Sequence, residues 1–232
     1  MQTSLAKAGD LKIVVSRYAD ELRERCHEFE QLRHLPQDLA DRMAGDGLYQ
    51  VCTPTECGGL GLPPRTYAEI VEQLAKADAS AAWCVFIGIT SSFSLASAQS
   101  EDIKELLRKP GVITAGVFAP NGRARRTSRG GTDGYLVNGR WQWGSGSQNA
   151  HWITGGVLVV DESGAIQRDE SGKPEHLSAV FAAADVELID TWNVMGLQGT
   201  GSTDYAVNDV FVPASRTVRS FGKRRSDHPV FL

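Results

Sequence analysis

No stretch of this chain approaches the roughly 18 uninterrupted apolar residues of a membrane-spanning helix, so the sequence predicts no membrane partner. The first residues, Met1-Gln2-Thr3-Ser4-Leu5-Ala6-Lys7, lack the apolar core of a signal peptide. A cytoplasmic location is the expectation. Charge of one sign is scarce: the formal net charge is −4, which argues against a general nucleic-acid binder. Cysteine is scarce too, at Cys26, Cys52, Cys57 and Cys84. Cys52 and Cys57 have no matching Cys/His pair nearby, so spacing offers no metal site. The four read as free thiols, buried or partly so. What is present is ordinary for a globular protein: 232 residues, 41% hydrophobic and 22% charged. That is enough for one large domain or two small ones.

The first half carries helical periodicity. Val14, Tyr18, Leu22, Cys26 and Phe29 recur every three or four residues and make one apolar stripe. Pro36 suits the start of a second helix through Leu39 and Met43, ended by Gly45 and Gly47. Tyr67, Ile70, Val71, Leu74 and Ala75 form another stripe, and Cys84–Ala98 reads as a helix buried on most sides. Ile103, Leu106 and Leu107 mark a short last piece before Pro110-Gly111. After Pro110 the period becomes two. Strands are predicted at Val112–Phe118, Tyr135–Val137, Arg140–Trp143, Trp152–Val160, Leu177–Phe181 and Tyr205–Val212. Asn138-Gly139 is a type I′ hairpin signal. No internal repeat is evident. The predicted class is α+β: an N-terminal helical domain over 1–110, a β-barrel or sandwich of antiparallel strands over 111–220, and a polar tail over 221–232.

The segment Gly134–Gly156 is the most informative. It joins a hairpin signal, a strand bearing Trp141 and Trp143, the irregular run Gly144-Ser145-Gly146-Ser147, and a second strand. Glycines let backbone approach a ligand closely, and tryptophans offer flat apolar faces. Exposed peptide N–H groups and the Ser145 hydroxyl would add hydrogen bonds. Such a wall suits a planar heteroaromatic cofactor.

Three segments in order resemble the acyl-CoA dehydrogenase superfamily. They are Pro54-Thr55-Glu56-Cys57-Gly58-Gly59-Leu60-Gly61, then Asn138–Ser147, then Met195-Gly196-Leu197-Gln198-Gly199-Thr200 leading to Val207-Asn208-Asp209-Val210-Phe211-Val212-Pro213. The resemblance implies FAD, with FMN or reduced flavin from a reductase as the alternative. It implies cofactor contacts at Val117, Phe118, Trp143, Gly144 and Ser145. It implies a small-molecule substrate, either an acyl-CoA or an aromatic compound, and a partner that is an electron-transfer flavoprotein or a flavin reductase. A homo-oligomer is expected when complete. Family members continue into a C-terminal helical domain that this sequence does not contain.

The departures from the family pattern are informative. Phe118 stands where a flavin-contacting threonine is usual, Trp143-Gly144-Ser145 replaces Trp-Ile-Thr, and Gln198 replaces an arginine. With Ser80-Ala81-Ala82-Trp83, these look like the flavin-dependent monooxygenase branch. Three functions follow as expectations. The first is oxidation of a CH–CH group of an acyl-CoA. The second is oxygenation of an aromatic or heterocyclic substrate by a two-component system. The third is a truncated, flavin-deficient binding module. No residue earns a catalytic assignment. The basic run Arg123–Arg129 reads as a solvated loop or a phosphate contact, and His151 as a structural histidine or a proton donor.

Overall fold

The computed structural model describes residues 8–98 and 100–219, so the tail expected at 221–232 lies outside the described residues. Five helices come first: α1 (Ala8–Leu32), α2 (Gln37–Gly45), α3 (Pro64–Ala75), α4 (Ala79–Ala96) and α5 (Glu101–Leu107). α1 buries Leu11, Val15, Tyr18, Leu22 and Phe29. Cys26 falls on the shoulder of that stripe and is exposed, against expectation, whereas Cys52, Cys57 and Cys84 are buried. Pro36 caps α2 from outside, and Pro64 opens α3, where a missing N–H is harmless. Asp78 caps α4 by accepting from the Ala81 N–H at 2.7 Å. By length and composition α4 could cross a membrane, but 61% of it is buried inside this fold. Its apolar character serves the core, as predicted for Cys84–Ala98.

Seven strands follow: β1 (Thr114–Arg129), β2 (Thr132–Trp141), β3 (Trp152–Val160), β4 (His176–Ala182), β5 (Glu187–Ile189), β6 (Asp204–Pro213) and β7 (Thr217–Arg219). They form one sheet in the order β5-β6-β2-β1-β3-β4-β7. The α+β class holds. The expected antiparallel pairing holds everywhere except between β1 and β3, which run parallel. That exception follows from the chain path: β2 returns along one side of β1, and the loop after Trp141 carries β3 to the other side.

Two sequence expectations are corrected here. The β1–β2 turn is Gly130-Gly131, both at positive φ (58° and 79°), not Asn138-Gly139. Asn138 instead marks a bulge, where β2 meets β6 with a register shift between Val137 and Gly139. Its side chain clasps Asp209, donating from Nδ2 to the carboxylate at 2.8 Å and accepting from the Asp209 N–H at 2.9 Å. An Asn-Gly pair therefore serves two geometries, and the Gly-Gly pair won the turn. The basic run Arg123–Arg129 is likewise strand, not loop. Arg126 pairs bidentately with Glu175 at 2.6 and 2.7 Å and also donates to Gln167.

The sheet is organised around Trp141, which is fully buried. A Cβ at Gly122, Gly139 or Gly155 would sit within 2.5–2.9 Å of its ring. These glycines are there because the indole fills their side-chain space. Its N–H donates to the Gly156 carbonyl at 2.9 Å, and its ring stacks on Tyr205 at 5.2 Å. Trp141→Ala should therefore cost about 3–5 kcal/mol, since the glycine walls cannot collapse inward to refill the hole. Urea denaturation of the variant against the parent chain measures it.

Candidate functional site

Two irregularities in this sheet display the candidate residues. The first lies in β1. Its pairing with β3 jumps from Val117↔Gly155 to Gly122↔Val157, so Gly156 alone stands opposite residues 118–121. A Cβ on Gly156 would meet the Phe118 carbonyl oxygen at 2.2 Å, so glycine is what lets the bulge sit down on β3. The bulge turns Phe118 outward, 44% exposed, while Val117 stays partly buried.

The second is the β2–β3 loop. The strand predicted through Trp143 ends at Trp141. Trp143 adopts φ +62°, a left-handed conformation uncommon for a bulky residue. That reversal separates two tryptophans that an unbroken strand would place on one face. Trp141 plugs the core, and Trp143 is 71% exposed. Gly144 is pressed on Tyr205, where a Cβ would lie 2.7 Å from the ring. Ser145 is buried, at 8% exposure.

Tyr205 joins the two irregularities. Its ring lies under Gly144, and its hydroxyl accepts from the Val117 N–H at 3.0 Å and donates to the Thr154 carbonyl at 2.5 Å. Burial pushes this phenol far above its ordinary range, only partly countered by the Val117 N–H. It is a neutral strut. The structure thus brings Val117, Phe118, Trp143, Gly144 and Ser145 to one region of the sheet.

The expected exposed N–H donors are not there. The Gly144 N–H donates to Thr203 O, Ser145 to Trp143 O, Gly146 to Thr200 O and Ser147 to Gly144 O, at 2.8–3.0 Å. These N–H groups are satisfied partly within the loop and partly by the carbonyls of Thr200 and Thr203. The polar character that remains comes from hydroxyls. Trp83 Nε1 donates to Ser145 Oγ at 2.9 Å, and Ser145 Oγ and Ser202 Oγ lie 2.6 Å apart. Ser202 Oγ and Thr200 Oγ1 are also 2.6 Å apart. Trp83 stacks on Phe86 at 5.2 Å, and Phe86 meets Tyr67 at 5.8 Å, so an aromatic row along α3 and α4 ends at Ser145. Sequence reasoning noted Trp83 within a motif but gave no site role to Trp83, Thr200, Ser202 or Tyr205. The only signal was the density of small polar residues over 199–203.

Other candidates have structural work. His151 Nδ1 accepts from the Ile113 N–H at 3.1 Å, so it ties the strand edge. Gln198 donates to Val194 O at 2.7 Å. Burial pushes the Cys84 thiol up to about 12 and the Cys52 thiol up to about 11, so neither supplies a thiolate near neutrality. Among the described residues no cluster of His, Cys, Asp or Glu is placed to hold a metal. The packing of Gly144 makes a sharp test. Gly144→Ala should lower stability by about 1–3 kcal/mol, because Tyr205 is stacked on Trp141 and cannot retreat. The denaturation midpoint reports it, and a midpoint equal to that of the parent would contradict the close contact.

Comparison with known proteins agrees with this architecture. Residues 11–108 match the family described as acyl-CoA dehydrogenase, N-terminal domain. An indole-3-acetate monooxygenase of Pseudomonas putida is 33% identical over 210 residues, which is 90% of this chain and 51% of that protein. The crystal structure of the HsaA monooxygenase from M. tuberculosis superposes with a TM-score of 0.79 at 29% identity, covering 92% of this chain and 56% of that one. XiaF from Streptomyces sp., in complex with FADH2 and glycerol, superposes with a TM-score of 0.78 at 28% identity, covering 92% and 51%. The chain therefore spans about half the length of the relatives it matches. Helices, mixed sheet and these likenesses together show that the chain belongs to the acyl-CoA dehydrogenase superfamily.

Proposed function

We propose that this chain carries part of the oxygenase component of a two-component flavin-dependent monooxygenase. Its substrate is a small aromatic or heterocyclic compound, and a separate reductase delivers the reduced flavin. The observation that carries the reading is the bonded pair Trp83–Ser145 at the end of an aromatic row. Trp143, two residues before Ser145, and Phe118 on the β1 bulge both have exposed rings. Relatives named as flavin-dependent monooxygenases support it, and so does a solved relative that contains FADH2. These names favour oxygenation over the acyl-CoA oxidation that the family resemblance first suggested. The electron-transfer flavoprotein belonged to that first expectation and leaves with it.

The residues present fit a flavin. Phe118 and Trp143 offer exposed apolar faces, Gly144 keeps the wall flat, and the buried Ser145 hydroxyl is the polar point within it. Val117 supports Phe118 through the Tyr205 hydroxyl. When bound, reduced flavin supplies two electrons to dioxygen, one oxygen atom entering the substrate and the other leaving as water. The chain's own share is to bind, orient and exclude water. Trp143 would cover a ring face, Phe118 would narrow the approach, and the exposed Trp83 ring at the end of the aromatic row would stack on a planar substrate.

The test is anaerobic mixing of the chain, complemented by the rest of the oxygenase component, with reduced FMN or FAD and an indole or phenol, followed by oxygen. Hydroxylated product labelled from isotopic dioxygen is the expected result. Bleaching of oxidised flavin by an acyl-CoA, with no hydroxylation, would restore the dehydrogenase reading. A chain that binds flavin in neither redox state would leave only the binding-module reading. In the complemented, full-length context, Trp143→Ala should weaken flavin binding by about 1–3 kcal/mol through lost ring contact and buried area. Fluorescence titration measures this, with an unchanged circular dichroism spectrum as the folding control.

A further inference from the structure

A cleft opens where α1, the start of α4 and the 195–198 loop meet. It encloses about 150 Å³, and its lining includes Glu30, Asp78, Ser80, Met195, Leu197 and Gln198. It shares no residue with the candidate flavin wall.

The oxygen atoms along this cleft keep unspent lone pairs. Asp78 accepts from the Ala81 N–H at 2.7 Å and from the Ser80 N–H. A carboxylate has about four lone-pair sites, so about two remain. Gln198 spends its Nε2 on the Val194 carbonyl at 2.7 Å, which leaves Oε1 to accept. Ser80 is 7% exposed, and its hydroxyl has no hydrogen-bond partner among the described residues. A buried hydroxyl left unpaired is costly, so it marks a place that a ligand atom would fill.

The charge of the cleft is one-sided. Asp78 offsets the N-terminus of α4. Glu30 adds a second carboxylate, whose neighbour His27 is exposed and 3.4 Å away. No Lys or Arg is among the described residues of the lining. Burial raises the Asp78 carboxyl above its ordinary range, two N–H bonds partly counter this, and Glu30 raises it further. No cation enters that balance. Beside the oxygens lie two apolar side chains, Met195 at 100% exposure and Leu197 at 45%.

We propose that this cleft binds a small primary alkylammonium ion. Its three N–H groups go to the Asp78 carboxylate, the Ser80 hydroxyl and Gln198 Oε1, with Glu30 adding charge at the rim. Its alkyl chain lies on Met195 and Leu197. An ammonium has three donors and no acceptor, which is the complement of this set. An anion would meet two carboxylates, and a neutral alcohol would leave both charges unmatched. The site is formed by this chain alone and does not rest on the flavin reading.

The experiment titrates propylamine hydrochloride into the full chain near neutral pH. Binding is read from the amide NMR shifts of residues 78–81 and 196–199. Saturable shifts centred on those two segments are expected. 1-Propanol, which lacks the charge, and tetramethylammonium, which lacks N–H donors, should each bind at least about tenfold more weakly. Asp78→Asn keeps a side-chain oxygen to cap α4 but removes the charge. It should weaken propylamine by about tenfold. Glu30→Gln changes an exposed rim group and should weaken it by about threefold. Gln198→Arg supplies a cation from the chain itself and should abolish binding, and it carries the test if Asp78→Asn fails to fold. Absence of a saturable shift in the parent would overturn the proposal. So would equal affinity for 1-propanol, or a folded Gln198→Arg chain that binds propylamine as the parent does.

Discussion

The indole of Trp141 takes up volume that three segments of the sheet must vacate, and most of the local geometry follows from that demand. Gly122 on β1, Gly139 on β2 and Gly155 on β3 each lack a side chain where the ring lies. Glycine in a strand costs about 0.5–1 kcal/mol against alanine. Three of them set against one buried tryptophan, worth about 3–5 kcal/mol on truncation, leave the arrangement favourable. The same glycines place the Trp141 N–H on Gly156 O and its ring on Tyr205. Tyr205 then fixes Gly144 on one side and Val117 on the other. The candidate site is thus an outgrowth of one packed ring.

The helical part and the sheet are joined by close backbone approach more than by charge. Arg33 pairs bidentately with Asp190 at 2.7 Å, but that pair is open to solvent and contributes little. The tighter constraint is Gly199, where a Cβ would lie 2.8 Å from Phe29 of α1 and 3.1 Å from Ser80 of α4. Asn149 adds a buried tie, donating to Leu35 O at 3.0 Å. The 198–203 loop is held between helices and the β2–β3 loop, so the hydroxyl contacts among Ser145, Ser202 and Thr200 lie at that joint.

Much of this was legible in the sequence. The change of period near Pro110 marked where helices yield to strands, and the glycine–serine run marked the loop. What stayed hidden depended on tertiary competition. Asn138-Gly139 carries turn chemistry, yet Gly130-Gly131 makes the turn because the Asn138 side chain has a partner in Asp209. Trp141 and Trp143 look alike at a spacing of two, and only the left-handed backbone at Trp143 separates plug from display. Trp83 is 62 residues from Ser145, so nothing local could announce their bond. The polarity of the loop was also out of reach, since glycine composition does not say whether N–H groups face outward or inward.

The bulge at residues 118–121 has a consequence for how such a chain can change. Those residues contribute no rung to the β1–β3 ladder, and pairing resumes at Gly122 in a register that Trp141 and Gly155 already hold. Their identity and even their number are decoupled from the core. A lineage, or an engineer, could exchange Phe118 for another shape without renegotiating strand alignment. Variation in what the protein accepts would then accumulate in a segment whose loss of fit costs the fold little.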